Sequence, residues 1–164
     1  EATGVGRLHV MSGIARRDDA AAHACYRGSV AYLCDQAGQA GLDVLIEPIN
    51  ARDMPGYFLN DFNYAADLIA DLGAANLKLQ FDIYHRQIIH GDVLTGLKTL
   101  MPIIGHVQIA AVPQRNEPGT GELDDFRILS ALDDLGYSGF VGCEYRPVAG
   151  TVAGLGWLND FRKG

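Results

Sequence analysis

Five times along the chain a short apolar run ends in polar or turn-forming residues and gives way to a helical pattern. That alternation restricts the possible folds more than any other feature of the sequence. The runs are Leu8-His9-Val10-Met11, Val44-Leu45-Ile46-Glu47, Leu77-Lys78-Leu79-Gln80-Phe81-Asp82, His106-Val107-Gln108-Ile109-Ala110 and Phe140-Val141-Gly142-Cys143-Glu144. Strands that alternate with helices build βαβ units, and βαβ units build a parallel sheet. The intervening segments carry the helical spacing this requires. Between Asp18 and Gln39 the small and apolar residues Ala21, Ala24, Cys25, Val30, Ala31 and Leu33 recur at helical intervals. From Asp61 onward Phe62, Ala65, Ala66, Ile69 and Leu72 fall on one face, and Gly73 supplies a stop. Asp92 to Leu100 ends ahead of Pro102, Asp124 to Leu135 ends at Gly136, and a short helix is expected near Trp157 to Phe161.

Two α/β architectures fit five such units. An open doubly wound sheet that binds a nucleotide would want a glycine-rich turn after the first strand. The residues there are Ser12-Gly13-Ile14-Ala15-Arg16-Arg17, with neither GxGxxG nor GxxxxGK[ST]. A (β/α)8 TIM barrel instead gathers reactive residues at the C-terminal ends of several strands, and that pattern is present. Residues 1–164 therefore read as a single TIM-barrel domain with about five βα units. A barrel of this kind takes roughly 250 residues, and the chain opens Glu-Ala-Thr-Gly-Val-Gly without Met. The expectation is that about three further βα units precede Glu1.

Composition excludes several classes. Hydrophobic residues make up 48% and charged residues 20%, as in a globular domain. No apolar stretch approaches the roughly 20 residues of a membrane span, so no membrane partner is expected. Twenty acidic and 13 basic residues leave a formal charge of −7. Nucleic-acid binders concentrate Lys and Arg, and this chain has no basic run. Cys25, Cys34 and Cys143 are odd in number and widely spaced, which points to small buried thiols in a reducing cytoplasm. Self-association into a homo-oligomer is left open.

The chemistry concentrates in four strand-end residues. Glu47 immediately precedes Pro48, which disfavours a helical conformation and puts the carboxylate where its strand opens into a loop. Asp82 follows Leu79-Gln80-Phe81, Gln108 lies within His106-Val107-Gln108, and Glu144 ends Val141-Gly142-Cys143. A single strand-end acid is as easily a solvated terminus as a functional group. Four oxygen-bearing side chains in consecutive units would converge in a closed barrel. Three carboxylates brought together repel one another unless a positive charge joins them. A hard divalent cation, Mg²⁺ or Mn²⁺, takes carboxylate and amide oxygens as ligands.

The segments IEPINARDMPGYFLN (46–60), NLKLQFDIYHRQIIHGD (76–92), GHVQIAAVPQRNEPGTGEL (105–123), GYSGFVGCEYRP (136–147) and GLGW (154–157) resemble the hydroxypyruvate isomerase family, within the xylose-isomerase-like TIM barrels. The resemblance spans essentially the whole chain. It implies an isomerase converting hydroxypyruvate to tartronate semialdehyde, with 2-dehydrotetronate isomerisation or ketose epimerisation as close rivals. It further implies that Glu47, Asp82, Gln108 and Glu144 form a metal-site quartet and that Glu47 and Glu144 are the acid/base pair. His85, three residues beyond Asp82 at the strand-to-loop turn, is implied to touch a substrate oxygen.

In the loop after Gln108, Arg115 offers a bidentate fork to a substrate carboxylate, and Glu117 is a second substrate-binding candidate. Arg52 and Arg86 are weaker rivals to Arg115. His9 can reach the pocket from the first strand, whereas His23 and His90 read as surface residues. The different-class alternatives are a metal-dependent phosphodiesterase of the endonuclease kind and a non-catalytic fragment.

Overall fold

The computed structural model describes residues 4–161. Its elements in chain order are β1 (Arg7–Val10), α1 (Ala20–Gln39), β2 (Asp43–Ile46), α2 (Phe62–Leu72), β3 (Leu77–Asp82), α3 (Ile83–Ile89), α4 (Val93–Leu100), β4 (Ile104–Ile109), α5 (Asp125–Asp134), β5 (Val141–Cys143) and α6 (Trp157–Phe161), with 3₁₀ turns before β4 and before α6. The strands form one sheet in the order β1-β2-β3-β4-β5. Parallel pairing joins β1 to β2, β2 to β3 and β4 to β5. Strand order equal to chain order is what a (β/α)8 arrangement requires. A doubly wound sheet reverses its order at a switch point.

The chain divides into two compact units. The first holds the described residues through Phe81 together with Pro102–His106, and the second holds Asp82–Met101 and the described residues from Val107 onward. In the first, the helices start and stop where their end residues satisfy the free backbone groups. Asp19 accepts from the N–H groups of Ala21 and Ala22 at the head of α1. Asp61 accepts from Tyr64 N–H at the head of α2, which Gly73 ends in the left-handed conformation at φ 60°. Helix α1 buries Tyr26, Val30, Cys34 and Ala37. That stripe shares only Val30 with the residues read from the sequence, and it leaves Cys25 exposed. Gly105 in β4 permits a close approach, since a Cβ there would fall 2.6 Å from Lys78 and 2.9 Å from Leu45.

In the second unit the sequence pattern missed α3. Strand β3 runs into it without a loop: Asp82 ends the strand and accepts from Tyr84 N–H as the cap of the helix. His85 is therefore a helical residue, not a turn residue. Asp124 caps α5 by accepting from Arg127 N–H, and Ile128, Leu129 and Leu132 bury its inner face. Cys143 is exposed, contrary to the buried thiol expected. Among the described residues no helix is long and apolar enough to cross a membrane.

Candidate active site

In the first unit Glu47 stands one residue beyond β2 and is only 3% exposed. Its Oε2 accepts a hydrogen bond from Gln80 Nε2 of β3 at 2.9 Å and lies 3.3 Å from His9 Nε2 of β1. The flanking strands on both sides thus fix one oxygen of the carboxylate. The loops after β1 and β2 are stapled to each other. Phe58 N–H donates to Gly13 O, Leu59 N–H to Ser12 Oγ, and Ser12 N–H to the Tyr57 hydroxyl. His23, read as a surface residue, packs edge-on against Phe58 and Tyr64, with its ring nitrogens at the Tyr64 hydroxyl and Arg17 O. Phe58 and Phe62 are fully buried core.

In the second unit Asp82 is 1% exposed. Oδ1 accepts from Tyr84 N–H at 2.8 Å, and Oδ2 lies 3.6 Å from His85 Nε2 and 3.5 Å from Arg115 Nη2. Burial pushes the Asp82 carboxyl up to about 6. Arg115 and the Tyr84 N–H oppose the shift, while the Glu144 charge adds to it. Glu144, just past β5, keeps a side chain 60% exposed. Its Oε2 accepts from Gln108 Nε2 at 2.9 Å and lies 3.2 Å from Arg115 Nη2.

Arg115 reaches both acids because the loop after β4 folds back on itself. The residue adopts φ 59°, its N–H donates to Ala111 O, and its own carbonyl accepts from Arg146 N–H. Its guanidinium sits 4.9 Å from the centre of the Tyr84 ring, a cation–π distance.

Asp82, Gln108, Glu144, His85 and Arg115 are thus gathered within this unit. Glu117 is directed elsewhere. Its Oε1 accepts from Val148 N–H, and a Cβ on Gly154 would fall 2.8 Å from that oxygen, so its carboxylate anchors the segment after β5. Arg86 is structural as well: its Nε donates to Gly91 O, and it lies under Gly96. Arg52 and His90 are exposed.

Sequence reasoning missed Gln80 and Tyr84. The signal for Gln80 was available. It stands two residues before Asp82 on β3, so the two share a face, and a polar residue on the inward face of an apolar strand calls for a partner.

In the second unit Asp82 and His85 are both buried and each offers an atom of the kind a metal takes, as the buried Glu47 does in the first. Asp82 Oδ2 is buried without a hydrogen-bond donor, which a metal ligand would explain.

A family model described as a xylose isomerase-like TIM barrel matches residues 1–161. The chain is 51% identical over 160 residues to 2-oxo-tetronate isomerase of Cupriavidus necator, covering 96% of this chain and 62% of that protein. It is 40% identical over 140 residues to hydroxypyruvate isomerase of Escherichia coli, covering 85% of this chain and 54% of that one. A solved structure named as an AP endonuclease of family 2 from Brucella melitensis superposes with a TM-score of 0.90 at 39% identity, over 94% of this chain and 60% of that one. The chain therefore spans less than two thirds of the length of these relatives.

Proposed function

Because the chain belongs to the xylose isomerase-like TIM barrel family, we propose that its protein isomerises a short hydroxy-keto acid, hydroxypyruvate to tartronate semialdehyde. One observation carries the reading. Each of the two strand-end glutamates receives a hydrogen bond from a glutamine amide on a neighbouring strand, Gln80 to Glu47 and Gln108 to Glu144, both at 2.9 Å. A carboxylate oriented by a fixed donor on one oxygen can present the other to a C–H bond.

The reaction needs two such groups. One carboxylate takes a proton from the hydroxymethyl carbon of hydroxypyruvate, giving an enediolate. The other returns a proton to the former carbonyl carbon. The hydroxyl becomes the aldehyde as the ketone becomes the hydroxyl, so atoms and electrons balance. Positioned acid/base groups of this kind contribute about 10²–10⁴-fold in rate. Glu47 and Glu144 take these roles, and His85 and Arg115 are assigned to the substrate's oxygens. Glu47, Asp82, Gln108 and Glu144 would hold a divalent cation, Mg²⁺ or Mn²⁺. When bound, it would supply Lewis-acid stabilisation of charge on the substrate oxygens.

A second reading, isomerisation of 2-oxotetronate by the same chemistry, is favoured by the 51% identity to the Cupriavidus protein. The endonuclease name of the Brucella structure marks a third, which the charge of −7 disfavours. Purified protein incubated with each 2-oxo acid in D₂O, followed by NMR, tests all three beside an abasic-DNA cleavage assay. Turnover with deuterium appearing at carbon is expected for one or both acids. Turnover of neither removes the isomerase reading, and cleavage of abasic DNA alone would replace it.

A further inference from the structure

The cation nearest the acids of the second unit is one the chain supplies itself. Arg115 Nη2 lies 3.5 Å from Asp82 Oδ2 and 3.2 Å from Glu144 Oε2. A single guanidinium nitrogen thus neutralises two of the residues assigned above to a divalent metal. Like charges repel, and the repulsion is strongest where burial lowers the local dielectric; Asp82 is 1% exposed. A metal and the guanidinium would compete for the same two oxygens.

Its backbone is pinned by hydrogen bonds to Ala111 and Arg146 and its Nε donates to Glu144 O at 3.3 Å, while the guanidinium lies over the face of Tyr84, 4.9 Å from the ring centre. Once off the acids, its planar fork matches a carboxylate.

We propose that Arg115 and a divalent cation exclude each other on Asp82 and Glu144, and that the displaced guanidinium becomes the clamp for the substrate's carboxylate. Arg115 then binds the substrate directly and orders the site, metal first and acid second. The inference rests on the assignment of Asp82 and Glu144 as metal ligands and deepens it. By linkage, metal and acid each tighten the binding of the other by the same factor.

The test uses the full-length protein. Mn²⁺ binding without substrate is measured by electron paramagnetic resonance for wild type, Arg115→Gln and Arg115→Lys. Arg115→Gln should bind Mn²⁺ at least about 10-fold tighter than wild type, within the usual range of site coupling. Arg115→Lys keeps the charge and should stay near wild type. Equal or weaker Mn²⁺ binding by Arg115→Gln overturns the proposal.

A second measurement needs no folded variant. Mg²⁺ titrated into wild type should move an arginine Nε–H resonance with the midpoint of metal binding, and should tighten tartronate binding at least about 5-fold. An unmoved arginine spectrum, or tartronate affinity indifferent to Mg²⁺, overturns it. The two readings fail separately. Turnover of a 2-oxo acid by wild type, with no Mn²⁺ bound by wild type or Arg115→Gln, sinks this inference and leaves the isomerase. Tighter Mn²⁺ binding by Arg115→Gln, with no turnover of either acid by wild type, sinks the isomerase and leaves the competition.

Discussion

Glu47 and Glu144 are the same side chain at the same kind of place, just past the end of a parallel strand, and each takes one hydrogen bond from a glutamine. Their surroundings differ. Glu47 is 3% exposed and held from both sides by Gln80 and His9. The Glu144 side chain is 60% exposed and rests against Gln108 and Arg115. A buried carboxylate is oriented by packing, so its chemistry and the stability of its unit are tied together. An exposed one is oriented by charge and hydrogen bonds alone, so its chemistry can be removed with the fold intact.

The largest expected effect separates those two properties. Glu144→Gln keeps the shape and the polar contact but cannot accept a proton. Turnover should fall about 10²–10⁴-fold, while the unfolding free energy changes by less than about 0.5 kcal/mol, as for surface substitutions generally. Steady-state assays beside denaturant melts check both halves. Near-normal turnover would remove Glu144 from the acid/base pair. A large stability loss would contradict the independence that its exposure implies.

The two glutamines sharpen the contrast at smaller scale. Gln80→Leu strips a buried carboxylate of a donor and should cost about 1–3 kcal/mol. Gln108→Leu removes the matching donor from a carboxylate in water and should cost under about 0.5 kcal/mol. Chemical denaturation of both variants decides. Equal losses would mean that burial is not what distinguishes the two sites.

Much of this was legible in the sequence, for physical reasons that can be named. The caps at Asp61 and Asp124 and the left-handed Gly73 announced their helices, because short polar side chains and glycine act locally. The strand-end acids could be read from strand positions alone. Helix α3 could not, since Asp82 serves as strand end and helix cap at once and leaves no turn signal between them. Nor could the partners of Arg115. They follow from a backbone that turns back through φ 59°, a conformation no residue type in QRNEP demands. Glu117 misled for the same reason. The sequence shows a loop carboxylate near the site, but only the fold reveals that Val148 N–H and Gly154 claim it. Local codes were readable, and long-range side-chain pairings were not.

The smallest effect tests whether burial alone, without a role in the proposed chemistry, marks an acid. Asp125 is 0% exposed, buried as Glu47 is, yet it serves a turn. Its Oδ2 accepts from Gly119 N–H at 2.7 Å, and Oδ1 is buried without a hydrogen-bond partner. Burial pushes its carboxyl above the usual range. The Gly119 N–H opposes that shift, and the neighbouring Asp124 adds to it. With its folded pKa raised, the folded protein holds this proton more tightly than the unfolded chain does. The contribution of Asp125 to stability is therefore full below the ordinary carboxylate value and falls as pH rises through the raised one. Asp125→Asn keeps an acceptor for Gly119 and removes the buried charge. At pH 8 the variant should match or exceed wild type by under about 1 kcal/mol. That advantage should shrink as pH falls toward 4, until protonated wild type matches or overtakes it. Denaturant melts of both proteins across that range give the comparison. A difference that stays constant with pH would show that the Asp125 proton is not linked to folding, and that the turn at Gly119 is held by shape alone.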